Sequence, residues 1–204
     1  LANDGARHFM VNFDANTNNL MLGSTVDVEN DGVPSPNADG DGNDNGISLP
    51  TNLERGDAYS LTANVTNTTG ATAYLSAWID YNRDGDFDDT GERILNEQTV
   101  ANGATTAAVS FTVPNVIAPG DTYVRFRICD GAGECNSPIG AALNGEVEDY
   151  KTELTFNDTP LDCQSFGYMV NTTSSLWTTI NLASGESDTA DDSFDPKINA
   201  IGYN

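Results

Sequence analysis

Apolar and polar residues alternate with period two through the middle of this chain. In residues 59–66, Tyr59, Leu61, Ala63 and Val65 alternate with Ser60, Thr62, Asn64 and Thr66. Residues 105–113 repeat the pattern with Ala107, Val109, Phe111 and Val113 on one face. Val124, Phe126 and Ile128 alternate with Tyr123, Arg125, Arg127 and Cys129, and Ala73, Leu75, Ala77 and Ile79 share a face opposite Tyr74 and Trp78. Such alternation is the mark of strands with one buried face. Turn-forming runs separate them: Asn67-Thr68-Thr69-Gly70, Asn102-Gly103 and Pro119-Gly120-Asp121. Residues 146–156 read as a closing strand. Several short strands with turns between them predict an all-β fold, a β-sandwich or jelly roll.

The flanks have a different texture. Residues 1–50 are rich in Asn, Asp, Gly and Pro and show little periodicity. Asn157-Asp158-Thr159-Pro160 reads as a linker, after which residues 165–170, 175–180 and 198–203 are strand candidates. Between the last two lie a turn at 181–185 and an acidic loop at 186–195. The expected division is a β-sandwich over 1–155 and a small β-meander over 156–204. Three short strands bury too little to stand comfortably alone, so the meander is expected to be covered by the first domain, by further chain or by another protomer.

Charge sharpens this picture. Thirty-one Asp and Glu against eight Lys and Arg leave a formal charge of −23. Nucleic acid is an improbable partner, because its binding rests on basic patches that neutralise phosphates. Carboxylates repel one another in a compact state, and bound hard cations relieve that repulsion; oxygen-rich sites suit calcium best.

Two of the three cysteines are close enough in sequence to pair. Cys129 and Cys135 bracket Cys-Asp-Gly-Ala-Gly-Glu-Cys, whose two glycines let a short disulfide loop close, while Cys163 is left over. Zinc is disfavoured, since thiolate sites need more ligands and His8 is the single histidine. No apolar run is long enough for a membrane span, and the opening at Leu1 reads as a mature or excised fragment.

The carboxylates cluster in loops. The sharpest is Asp80-Tyr81-Asn82-Arg83-Asp84-Gly85-Asp86-Phe87-Asp88-Asp89-Thr90-Gly91-Glu92. Asp80, Asn82, Asp84, Asp86 and Asp88 present oxygens at alternate positions, and Gly85 allows the chain to wrap sharply. The loop resembles the calcium loop of EF-hands and dockerins. It departs from it at position twelve, where Gly91 stands and the acid follows one later as Glu92. Because an alternating segment precedes it, the loop is expected to join strands rather than helices. A second cluster supplies Asp39, Asp41, Asn43 and Asp44, and Asp27-Val28-Glu29-Asn30-Asp31-Gly32 can add ligands to either.

Enzyme chemistry finds little purchase. His8 has no evident triad partners, no phosphate loop or dinucleotide fingerprint occurs, and carboxylate pairs mean little in so acidic a chain. Sequons at Asn64, Asn67, Asn157 and Asn171 are expected by chance in a chain this rich in Asn and Thr.

Gly145-Glu146-Val147-Glu148-Asp149-Tyr150 is the signature of the GEVED domain, and further motifs agree. Ala6-Arg7-His8 resembles the family's opening. Leu22-Gly23 with residues 27–32 and then 39–46 resembles its acidic motifs. Ala77-Trp78-Ile79-Asp80-Tyr81-Asn82, Asp84-Gly85-Asp86-Phe87 and Tyr123-Val124-Arg125-Phe126-Arg127 resemble its central blocks. The resemblance spans about residues 1–155. It implies a secreted or surface-attached bacterial protein, often with adhesion modules alongside, and no enzymatic activity. Residues 163–204 more loosely resemble the start of a secreted propeller-type repeat.

In the signature strand, Glu146, Glu148 and Tyr150 point one way and Val147 and Asp149 the other. Glu148 or Asp149 is expected to reach an acidic loop as a further calcium ligand; the alternative pairs these acids with Arg125 or Arg127. The expected function is a calcium-stabilised extracellular structural or interaction module whose partners are other protein subunits or cell-surface ligands. Two other readings are a filament subunit assembled by strand complementation and a carbohydrate-binding module using Trp78, Tyr168 and Trp177.

Overall fold

The computed structural model describes residues 6–8, 19–26, 37–38, 44–156, 166–171, 176–181 and 187–193. It divides into two compact units, 1–157 and 158–204. The second contains an antiparallel meander of three strands, β11 (Phe166–Asn171), β12 (Leu176–Asn181) and β13 (Ser187–Ser193).

The first unit is built on two main β-sheets and one two-stranded ladder, with no helix among its described residues. Its strands are β1 (Arg7–His8), β2 (Leu20–Leu22), β3 (Asn52–Glu54), β4 (Ala58–Asn67) and β5 (Ala73–Ile79), then β6 (Arg93–Val100), β7 (Thr106–Thr112), β8 (Gly120–Cys129), β9 (Ala141–Ala142) and β10 (Gly145–Thr155). One sheet has five strands in the order β3-β10-β8-β5-β6; the other has three, β2-β4-β7. A parallel two-residue ladder joins β1 to β9.

The alternation seen in the sequence is what lets these sheets face each other. Leu75, Ala77 and Ile79 of β5, Val124, Phe126 and Ile128 of β8, and Leu154 of β10 line the inner face of the larger sheet. Ala63 and Val65 of β4, Val109 and Phe111 of β7, and Leu20 and Leu22 of β2 meet them in one buried cluster. Each fully buried aliphatic or aromatic side chain contributes on the order of 2 kcal/mol, which makes this cluster the main apolar contribution to holding the sheets together.

Two elements differ from the sequence reading. The acidic stretch at 187–193, expected to be a loop, is β13, because hydrogen bonding to β12 outweighs its poor strand propensity; the candidate at 198–203 lies outside the described residues. β6 is not evident from periodicity, since Glu97 takes a left-handed φ of 47° and the β5–β6 register shifts twice. A bulge of this kind breaks the period-two signal.

The outer face of the larger sheet is roofed by residues 130–142, and buried arginines hold that roof down. Arg127 donates to the carbonyls of Ser137, Ile139 and Gly140 and to that of Arg7. Arg125 donates to Pro138 O, and Arg93 to Cys135 O while lying over the Trp78 ring. Glu97 accepts from Gly133 N at 2.6 Å.

The Cys129–Cys135 disulfide closes the roof's base, and both cysteines are fully buried. Cys163 lies outside the described residues. Replacing both bridged cysteines by Ala should cost about 2 kcal/mol on the chain-entropy model for so short a loop. The check is denaturant unfolding of the double variant beside the oxidised protein; equal midpoints would mean that the arginines alone fix the roof.

Candidate metal centre and signature strand

The acidic loop is the hairpin connection from β5 to β6, as its sequence context implies. Its two ends are pinned by buried carboxylates rather than by exposed ones. Asp80 Oδ1 accepts from Arg83 N at 2.5 Å and Oδ2 from Gly85 N at 3.1 Å. Glu92 Oε1 accepts from Tyr81 N at 3.0 Å and Oε2 from Asp89 N at 3.2 Å. Both residues are nearly inaccessible to water, and burial raises both carboxyl pKa values above their ordinary range, the charge of Asp84 adding to the rise at Asp80 and that of Asp80 to the rise at Glu92. Their task in this geometry is to close the loop upon itself.

The outer oxygens form the metal-compatible group. Carboxylate oxygens of Asp84, Asp86 and Asp89 all lie within 4.8 Å of one another, on exposed residues. The amide nitrogen of Asn82 donates to Asp84 at 2.9 Å and Asp89 at 2.5 Å, lying between two carboxylates. Asn82 Oδ1 meanwhile accepts from Asp84 N at 3.1 Å.

Arg83, with a left-handed φ of 62°, turns its guanidinium away to the carbonyls of Pro119 and Asp121. The three carboxylates thus gather without help from the nearest arginine. A hard cation with flexible oxygen coordination fits such a donor set. Phe87 anchors the loop from behind, buried under the guanidinium of Arg125 at 5.5 Å.

The sequence-derived ligands therefore fall into separate groups. Asp84 and Asp86 share the cluster with Asp89, a residue the alternate-position pattern passes over. Asp88 is exposed outside that trio, its N–H bonded to Asp86 Oδ1 at 2.9 Å. Asp80 and Glu92 face backbone N–H groups. Asp39, Asp41 and Asn43 lie outside the described residues, as does the 27–32 motif. Asp44 accepts from Asp149 N at 3.1 Å.

The signature strand β10 runs antiparallel to β8 with Glu146 opposite Ile128, Glu148 opposite Phe126 and Tyr150 opposite Val124. Those partners face the core, so the two glutamates enter the interior of the sandwich. Glu146 accepts from Leu22 N at 2.6 Å. Glu148 accepts from Asn45 N and Gly46 N, both at 2.9 Å, and from Tyr150 Oη at 2.7 Å. The Tyr150 oxygen in turn accepts from Ile47 N at 2.9 Å, and burial beside Glu148 holds its pKa well above the ordinary tyrosine value.

Glu148 does reach the end of the second acidic segment, but it grips that segment by its backbone. On the opposite face Asp149 makes a two-point ion pair with Arg125, at 2.7 and 2.5 Å, as the alternative reading anticipated. Gly46 leaves no room for anything larger: a Cβ there would lie 2.5 Å from Glu148 Oε2 and 2.8 Å from Leu22 Cβ.

Sequence inspection had no signal for this inward role, because Glu at an inward position of a strand is ordinarily excluded from a core. The short backbone N–H runs at 22 and 45–47 that receive these carboxylates are not marked by residue type.

No curated protein matches the chain. Among solved structures it is similar to an alkylpurine DNA glycosylase, AlkC, from Pseudomonas fluorescens, at 16% identity and a TM-score of 0.34, over 52% of this chain and 28% of that one. It is also similar to a variant of the SrpA adhesin of Streptococcus sanguinis, at 16% identity and a TM-score of 0.30, over 71% of this chain and 91% of that one. Likeness at this level carries no functional argument, and the chain spans about a quarter of the glycosylase's length. The family comparison is more specific: residues 74–153, which contain both the acidic hairpin loop and the signature strand, match the family model of the GEVED domain.

Proposed function

We propose that this chain is a non-enzymatic, calcium-stabilised structural module of an extracellular bacterial surface protein, an adhesin-type part that holds or presents binding units. The observation that carries the calcium reading is the gathering of the Asp84, Asp86 and Asp89 carboxylates on a loop already closed by Asp80 and Glu92. An ion there would neutralise repulsion that the loop otherwise bears, and would bind the folded hairpin in preference to the unfolded chain.

The extracellular reading is supported by the buried disulfide, which persists in oxidising compartments, and by the family match. The non-enzymatic reading is supported by the employment of the single histidine, which accepts from Arg127 Nε at 3.2 Å within the roof.

The test is thermal unfolding with millimolar calcium and again with chelator. Calcium at about 100 times its dissociation constant adds roughly 2.7 kcal/mol, a rise of about 5–10 °C for a domain of this size. The Asp84→Asn/Asp86→Asn double variant should lose that rise and keep the chelated melting temperature. Identical curves with and without calcium would refute the metal reading and leave the acidic loop a solvated turn.

A further inference from the structure

The four outer strands of the two sheets in the first unit are not equally protected. β2 and β3 have three residues each, and β2 is fully buried. β6 carries Arg93 and Glu97 and is distorted where Glu97 takes its left-handed φ. Short length, charge and bulges are the devices by which sheet edges avoid pairing with other chains.

β7 has none of these devices. Its seven residues, Thr106-Ala107-Ala108-Val109-Ser110-Phe111-Thr112, alternate exposed and buried without interruption and include no charge and no proline. Its register with β4 is unbroken from Thr112 to Thr106. At either end Thr105 O accepts from Val65 N and Val113 N donates to Asp57 O. The odd-numbered backbone groups therefore face β4, and those of Thr106, Ala108, Ser110 and Thr112 face outward. Gln98 agrees, since its Nε2 reaches Ala108 O from the outer side at 2.7 Å.

The surface beside this edge is also free of charge. Ala58, Ser60, Thr62 and Asn64 of β4 are exposed alongside Thr106, Ala108, Ser110 and Thr112 of β7. In a chain of formal charge −23, most faces brought against a copy would meet like charge. This face does not.

We propose that the β7 edge is a self-association site, where two copies pair β7 with β7 antiparallel and extend the three-stranded sheets into one six-stranded sheet. The occupant is a second copy because the strand is self-complementary. With Val109 opposite its own copy, Ala108 falls opposite Ser110 and Thr106 opposite Thr112, all small and uncharged. The outward N–H and C=O groups then meet in pairs, as in any antiparallel ladder, and the symmetric contact closes at two chains. Gln98 occupies one carbonyl of the edge and gives way when the second strand arrives.

The experiment is sedimentation equilibrium of the full chain in about 0.15 M salt, where exposed charges more than about 8 Å apart are screened. Wild type is expected to reach twice the 21.6 kDa of one chain as concentration rises. Ala108→Pro removes one outward N–H without touching the bonds to β4, and is expected to weaken the dimer at least tenfold. Ser110→Asp, which places a like charge at the same edge, serves as the second variant if the proline change lowers the melting temperature.

Thr62→Asp lies on the same face but on the interior strand β4, and is expected to leave dimerisation within about threefold of wild type. A monomer at every concentration, or a dimer indifferent to both β7 variants, overturns the proposal. So does a dimer abolished by Thr62→Asp alone, which would indicate stacking of faces. None of these outcomes depends on calcium binding.

Discussion

Glu148→Gln is expected to lower the melting temperature by about 10 °C, and by the same amount with calcium or with chelator. The carboxylate is essentially inaccessible to water and accepts from two backbone N–H groups and the Tyr150 hydroxyl. Glutamine keeps one acceptor oxygen and turns the other position into a donor, which then faces a donor. A buried hydrogen bond to a charged group is worth roughly 1.5–3 kcal/mol, and an orphaned buried donor costs a similar amount. About 3 kcal/mol at some 2–4 °C per kcal/mol gives the stated loss.

The calcium comparison separates two roles for this residue. If Glu148 were a metal ligand, the variant would instead lose the difference between the calcium and chelated curves while its chelated melting point stayed near wild type. Differential scanning calorimetry in the two buffers decides between them. Glu146→Gln, which disturbs the bond donated by Leu22 N at 2.6 Å, should fall in the same direction by a smaller amount.

The signature strand also shows where sequence reading ends. The fold class was legible because the core strands β4, β5, β7 and β8 alternate cleanly, and each alternation is the direct imprint of one dry face. The hairpin loop was legible because its oxygens and Gly85 mark a tight, acidic wrap. What escaped was any structure made by backbone groups. Glu148 reads as a metal ligand or a partner of Arg125 or Arg127, since nothing in residues 22 and 45–47 declares that their N–H groups need it and Glu146 as acceptors. Asp89 escaped for a related reason: the alternate-position count favours Asp88, but Asp89 N is drawn to Glu92, and its carboxylate comes round beside Asp84 and Asp86. The β6 bulge and the arginine-held roof likewise depend on contacts between residues far apart in the chain.

That roof yields the second large effect, a loss of stability on acidification traceable to the single histidine. His8 lies on β1 with Nε2 accepting from Arg127 Nε. Burial, and then the positive charge of Arg127, lower its pKa from 6.5 to about 3. The neutral imidazole is the form the folded chain requires, because a protonated Nε2 would point a donor at a donor beside a buried cation.

The sign follows directly from the depressed pKa. Above pH 6.5 neither folded nor unfolded chain protonates His8, and the group contributes nothing to pH dependence. Between pH 6.5 and about 3 the unfolded chain binds the proton and the folded chain does not, so stability falls as pH falls. The full span corresponds to at most about 5 kcal/mol at 1.36 kcal/mol per pH unit, of which about 2 kcal/mol should be gone near pH 5.

Carboxylates titrate in the lower part of this range, and the buried pair Asp80 and Glu92 acts oppositely, since their raised pKa values make acid stabilising. The histidine term is therefore read as the difference between wild type and His8→Gln, which keeps a neutral polar side chain that does not titrate. Denaturant midpoints of the two proteins, measured from pH 7.5 to 4, should converge as pH falls, because only wild type carries the histidine penalty. If instead they keep a constant separation, His8 is not the acid-sensitive link between β1 and the roof.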